Sequence, residues 1–136
     1  ARVVLIGSSD DAPIAEGVAA LAGPGVVSLA GRTDLATTVA LVDEAAVLIG
    51  NDSAPVHIAC ARGVPVVAIF CATTPALGYG PWSDRSRVVD VDLACRPCGR
   101  HGGQRCPRGT EDCMRLVDPT RVLAAVRDVW RPEAAA

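Results

Sequence analysis

The chain contains no lysine: all thirteen of its basic residues are arginines, set against 15 Asp and Glu for a formal net charge of -2. A non-specific nucleic-acid binder draws its affinity from a basic surface, so this balance argues against that class. The arginines between Arg96 and Arg115 are the one local exception. Aromatics are equally scarce, with only Trp82, Trp130, Tyr79 and Phe70, which leaves no interleaved platforms for stacking bases. The core must therefore come from Ala, Val, Leu and Ile, a mixture that suits parallel strands covered by Ala-rich helices. No apolar run approaches the roughly 18 residues of a membrane span, and the N-terminus lacks the charged-then-apolar order of a secretory signal. Neither a G-x-G-x-x-G nor a Walker lysine is present, so neither a dinucleotide fold nor a P-loop ATPase is supported. The chain opens directly on strand-like sequence and its only methionine is Met114, which reads as part of something longer.

At 136 residues one domain is expected, large enough to bury roughly two-thirds of the surface its unfolded chain exposes. Strand and helix patterns alternate along it. Arg2 to Gly7 is a β-branched run ended by glycine, and Ala12 to Ala22 carries Ile14, Val18 and Leu21 at helical spacing. Gly25 to Ala30 is a second strand, and Leu35, Val39 and Val42 mark a helix after Thr33-Asp34. Ala46 to Ile49 and Pro65 to Cys71 are further strands, separated by a helix from about Ala54 to Arg62 that stops at Gly63. A loop rich in Thr, Pro and Gly follows from Ala72 to Ser86, then a short strand Arg87 to Val91 and a Cys-rich excursion from Ala94 to Leu116. Asp118-Pro119 caps a last helix, and residues 132–136 form a disordered tail. This alternation predicts an α/β fold, a Rossmann-like parallel sheet flanked by helices, in a single domain over residues 1–131. Ligands of such sheets collect beyond the carboxyl ends of the strands, at Gly7 to Asp11, Gly31 to Asp34, Gly50 to Ala54 and Cys71 to Thr74.

The most informative of these loops is Asn51-Asp52-Ser53-Ala54-Pro55-Val56-His57, a polar turn delivered by a strand onto a helix start. First-turn N–H groups have no intrahelical partner and carry the positive end of the helix dipole, so a phosphate there gains hydrogen bonds and charge stabilisation. Pro55 fits that turn because its missing N–H costs no helical bond. Asp52 and Ser53 suit capping as well as ligand contact. His57, one turn into the helix, fits either a packing role or a hydrogen bond to a bound phosphate or sugar.

Cys95-x2-Cys98-x7-Cys106-x6-Cys113 leaves three readings open: a structural zinc site with four thiolates, a pair of disulfides, or thiols without partners in the cytoplasm. Cys60 and Cys71 fall within a helix and a strand and are expected to be ordinary buried residues. No cysteine has the His and Asp spacing of a nucleophile.

Leu48 to Phe70, reading L-I-G-N-D-S-A-P-V-H-I-A-C-A-R-G-V-P-V-V-A-I-F, together with the T-x-P of the next loop and the Cys run ending in C-M-R, resembles the C-terminal half of family 9 glycosyltransferases. That family contains the ADP-heptose:lipopolysaccharide heptosyltransferases. The resemblance implies a GT-B architecture, with the sugar nucleotide held mainly by the C-terminal domain. It places Asp52, Ser53 and Ala54 at the donor diphosphate, with Asp52 also meeting the transferred sugar as the catalytic position. It brings Asp10 or Asp11 to the ribose, Thr33 to the adenine, and matches His57 to the family's histidine. Ala54 departs from the usual glycine, whose lack of Cβ allows close backbone approach to a phosphate. The resemblance further implies heptose transfer from ADP-heptose to a lipopolysaccharide-core or similar saccharide acceptor with no required metal or other cofactor. Its acceptor surface and general base lie in an N-terminal partner domain. It also implies a cytoplasmic setting, with at most peripheral contact at the inner face of the inner membrane and no nucleic-acid partner. The competing reading is a stand-alone nucleotide-binding or interaction module with a Cys-rich, zinc-stabilised loop.

Overall fold

Val66, Ala68 and Phe70 alternate with Val67 along strand β4 (Val66–Phe70), and all four are buried. Alternation sends successive side chains to opposite faces, so this strand needs cover on both sides. It obtains it from helix α3 (Ala54–Ala61) on one face, where Val56 and Ala59 join Leu48, Val64, Val66, Ala68 and Phe70. On the other face helix α5 (Pro119–Val129) packs Ala125 and Val129 on Val67 and Val89. Each fully buried side chain of this size contributes about 1.5–3 kcal/mol relative to exposure. The structure is a computed structural model that describes residues 2–103 and 105–130. The tail at 132–136 lies outside the described residues.

β4 is the centre of a three-stranded parallel sheet. Strand β3 (Leu48–Asn51) pairs with it from Leu48 opposite Val66 to Asn51 opposite Ile69. Strand β5 (Ser86–Asp90) pairs on the other side, from Ser86 opposite Val66 to Phe70 opposite Asp90. β3 begins two residues later than its apolar run suggests, because Ala45 N–H bonds back to Val42 in a turn. The β4 to β5 crossover contains no α-helix, only a 3-10 turn at Pro75–Leu77.

These elements belong to a unit spanning Val42–Ala136, and a second compact unit spans Ala1–Leu41. In the latter, strands β1 (Val3–Leu5) and β2 (Val26–Ser28) form a two-stranded parallel sheet. Helix α1 (Ala12–Ala22) connects them and buries none of its residues. Helix α2 (Leu35–Asp43) starts here, and its buried Val42 belongs to the core of the other unit. The expected parallel βα alternation is thus present, with its strands paired in two sheets, β1-β2 and β3-β4-β5. No helix among the described residues is long and apolar enough to cross a membrane.

Candidate functional site

Asn51 closes β3, and Asp52 continues the ladder by donating its N–H to the Ile69 carbonyl at 3.2 Å. Ser53 is the N-cap of α3, with extended backbone at φ -158 and ψ 167, and Pro55 occupies the first turn. An N-cap hydroxyl normally accepts from the helix's second or third N–H. That of Ser53 instead donates to the Asn51 carbonyl at 3.1 Å, and α3 has no side-chain cap. Ser53, Ala54 and His57 are exposed. The exposed start of α3 therefore carries a positive dipole end with no carboxylate or hydroxyl capping it. Ala54 is the first helical residue, so its backbone lies in the right-handed region and needs no glycine freedom.

The Asp52 carboxylate is fixed from the neighbouring loop. Thr73, buried after the end of β4, donates its hydroxyl to Asp52 Oδ2 at 2.6 Å. Thr73 is in turn anchored by Arg96, whose side chain is 4% exposed. Arg96 Nη2 donates to the carbonyls of Thr73 at 2.9 Å and Phe70 at 3.1 Å, and Nε donates to that of Cys71. Its Nη1 donates to the Val91 carbonyl and to Asp90 Oδ2, the latter at 3.0 Å. A planar guanidinium can reach five acceptors in one plane, which an ammonium cannot. Arg96 thereby ties together the carboxyl ends of β4 and β5. In the sequence it belongs to a local basic cluster with Arg115; the structure buries Arg96 and pairs Arg115 with Glu111 at 3.1 Å. Thr73 was visible only as part of T-x-P, and its contact with Asp52, 21 positions away, had no local signal.

In the first unit the two strand-end loops meet. Gly31 N–H donates to the Gly7 carbonyl at 2.9 Å, and a Cβ on Gly31, at φ +71, would lie 2.9 Å from Ser9 Cα. Only glycine fits there. This juxtaposition sets Asp10 and Asp11 on the edge that also carries Thr33. Asp11 Oδ2 accepts from both the hydroxyl and the N–H of Ser8, at 2.7 and 2.8 Å, and these bonds hold its carboxyl below the ordinary range. Asp11 is thus engaged in shaping the turn, while Asp10 is exposed at the same tip. Thr33 accepts from the Thr38 hydroxyl at 3.1 Å.

All six cysteines are free thiols. Among its described residues, the Cys-rich excursion from Ala94 to Leu116 contains one short helix, α4 (Asp112–Arg115). It docks on the loop after β4, where Cys98 N–H donates to the Ala72 carbonyl at 2.8 Å. Cys71 departs from the buried-residue expectation: it stands one position past β4, half-buried, on the wall of a cavity it shares with Cys98, Cys106 and Cys113. Among the described residues, no three Cys, His, Asp or Glu side chains converge closely enough to hold a metal ion as they stand. Burial pushes the Cys71 and Cys113 thiols up, whereas hydrogen bonds from the backbone N–H groups of Glu111 and Arg108 pull Cys106 down. A second cavity of 340 Å³ lies beside Arg85 and Arg87, at the opposite, amino-terminal end of β5. Its lining balances Arg85 and Arg87 with Asp84 and Asp128, Arg87 and Asp128 lying 3.5 Å apart, and offers no concentrated charge for an anion.

Comparison with known proteins decides between a generic phosphate-binding turn and a particular family. The model of glycosyltransferase family 9 (heptosyltransferase) matches residues 1–105. The chain belongs to glycosyltransferase family 9. Lipooligosaccharide heptosyltransferase 2 of Campylobacter jejuni is 30% identical over 108 residues, covering 79% of this chain and 33% of that protein. Lipopolysaccharide heptosyltransferase 3 of Escherichia coli is 43% identical over 61 residues, 45% of this chain and 18% of that protein. The family 9 glycosyltransferase of Veillonella parvula superposes with a TM-score of 0.76 at 21% identity, over 95% of this chain and 36% of that one. The E. coli ADP-heptose LPS heptosyltransferase II gives 0.63 at 24% identity, over 90% and 37%. These two share the fold. The family 9 chain described here spans about a third of the relatives it matches first.

Proposed function

We propose that this family 9 chain carries the donor side of a heptosyltransferase, binding ADP-heptose or a similar sugar nucleotide for transfer to a saccharide of the lipopolysaccharide-core type. One observation carries the reading: the exposed first turn of α3 has lost its own cap, because Ser53 donates to Asn51 instead. The diphosphate takes the place of that cap on the amides of Ser53 and Ala54, since Pro55 has no N–H and the Val56 N–H donates to the Ser53 carbonyl at 3.1 Å, with His57 in reach of a phosphate or sugar hydroxyl. Asp52, held by Thr73, faces the transferred sugar.

In the reaction the bond from the anomeric carbon to the diphosphate oxygen breaks, and an acceptor hydroxyl bonds to that carbon and loses its proton to a base. ADP departs with the developing negative charge, which preorganised N–H donors at a helix end stabilise without reorganisation. No metal is required, since the helix terminus supplies that stabilisation. The acceptor surface and the proton-accepting base are assigned to an N-terminal GT-B domain, outside these 136 residues. The setting is cytoplasmic, with at most peripheral contact with the inner membrane.

Calorimetric titration of the chain with ADP, UDP and GDP tests donor binding and base preference together. Saturable binding of ADP, at least several-fold tighter than UDP or GDP, is expected. No heat with any of the three, or equal binding of all, would overturn the assignment.

A further inference from the structure

Tyr79 and His101 share a hydrogen bond of 2.9 Å between the phenol oxygen and Nδ1, with ring centroids 6.0 Å apart and the rings tilted at 45°. Tyr79 is half-buried against the core cluster that contains Val56 and Phe70, whereas His101 is exposed. The core thus fixes the phenol, and the phenol fixes the imidazole. The strap that carries His101 lies on the loop after β4. Cys98 N–H donates to the Ala72 carbonyl at 2.8 Å, and a Cβ on Gly102, at φ +70, would lie 3.2 Å from Ala72 Cβ and 3.6 Å from Thr73 Cγ2. His101 therefore adjoins a glycine that rests on Thr73, the residue whose hydroxyl holds Asp52. An exposed bond between two neutral groups contributes only about 1 kcal/mol, and the strap is already fastened by Arg96 and by the Cys98 N–H. Docking the lobe does not need this pair. What the pair supplies is orientation: a phenol O–H is a stronger donor than a neutral imidazole N–H, so Nδ1 accepts and Nε2 carries the ring proton. Among the described residues, Nε2 has no partner.

We propose that His101 is a further donor-site residue, held in place by Tyr79, and that its Nε2–H donates to a hydroxyl of the transferred sugar. This rests on the assignment of the donor diphosphate to the start of α3 and of the sugar to Asp52. Asp52, Thr73 and His101 come from the segments that follow β3, β4 and β5, three adjacent strands of one parallel sheet. Ligands of such sheets collect at that edge. The two polar groups are complementary: a carboxylate only accepts, a ring N–H with its other nitrogen engaged only donates, and a sugar hydroxyl can do both. Together they fix which way the hydroxyls of the sugar point. ADP alone has no such sugar and makes neither bond, so the pair discriminates the sugar nucleotide from the nucleotide product. Tyr79 is a positioning residue, acting only through the imidazole.

The test titrates the chain calorimetrically with ADP and with ADP-heptose. His101→Ala is expected to weaken ADP-heptose about three- to tenfold, the worth of one neutral hydrogen bond, and to leave ADP unchanged. His101→Gln, which keeps an amide N–H at about the reach of Nε2, should recover most of that loss. Tyr79→Phe keeps its ring on the core but frees the imidazole, and should weaken ADP-heptose by a smaller factor and ADP not at all. In the unsubstituted chain ADP-heptose, but not ADP, should move the Cε1–H signal of His101, which a purely structural latch would not do. Parent-like affinity for ADP-heptose in His101→Ala overturns the proposal, as does an equal loss for ADP, which would make the pair structural. A parent chain that binds both ligands equally, with the His101 signal unmoved, refutes the proposal and spares the assignment of α3. One that binds neither refutes both.

Discussion

Thr73 donates its hydroxyl to Asp52 at 2.6 Å, joining the loop after β4 to the turn that opens α3. Thr73 is buried, so replacing it with the isosteric valine leaves the carboxylate without its donor and adds no volume. Thr73→Val is expected to destabilise the chain by about 1–2 kcal/mol. It should weaken a sugar nucleotide more than ADP itself, because Asp52 is assigned to the sugar. Thr73→Ser should retain both affinities. Parallel titrations with ADP and ADP-heptose check this, and equal weakening of both ligands would move Asp52 away from the sugar.

Arg96 is the second brace. Its removal strands four backbone carbonyls and the Asp90 carboxylate at the ends of β4 and β5. The Asp90 side chain is 38% exposed, so most of the cost falls on the carbonyls left without a donor, at about 1 kcal/mol each and about 3–5 kcal/mol together, a large share of a domain's total stability. Urea denaturation of Arg96→Met should show a loss of about that size, and Arg96→Lys should not rescue it, because an ammonium cannot span the fork. A lysine variant as stable as the parent would contradict the planar-fork account.

Acid should weaken the helix starts. Hydroxyl and amide donors hold the carboxyls of Asp34 and Asp118 below their ordinary value of 3.8, through Thr37 and Thr120 respectively, as Ser8 does for Asp11. A carboxyl depressed in the folded state adds stability above its unfolded value, and that stability is lost as pH falls through the folded value. Melting temperature is therefore expected to fall below about pH 4. Asp118→Asn keeps an acceptor for the Thr120 N–H but cannot titrate, so its melting temperature should decline less steeply with acid than the parent's. An unchanged slope would remove Asp118 from the account.

The family resemblance read from the sequence expects glycine where Ala54 stands. Its helical backbone gives glycine no conformational advantage, and a glycine inside a helix costs up to about 1 kcal/mol. Ala54→Gly should lower stability and change ADP affinity by less than about twofold. A tenfold gain in affinity would show that the methyl crowds the phosphate.

The elements of this fold were legible because they are written locally. β-branched runs, Asp118-Pro119 before the last helix and glycine after α3 place strands and helix ends without tertiary information. The Ser53 turn was legible for the same reason. Thr73, Arg96 and Cys71 were not, because their roles depend on partners 21 or more positions away or on a cavity wall assembled from separate segments. An arginine between two cysteines reads as surface charge until the carbonyls it serves are in place.

The central claim is that the uncapped start of α3 receives the donor diphosphate. Amide chemical-shift mapping of the chain during titration with ADP tests it directly. The account predicts that the largest perturbations fall on the N–H signals of Ser53, Ala54, Val56 and His57, with Pro55 silent. Perturbations centred on Arg85, Arg87 and Asp128, with the α3 start unmoved, would contradict it.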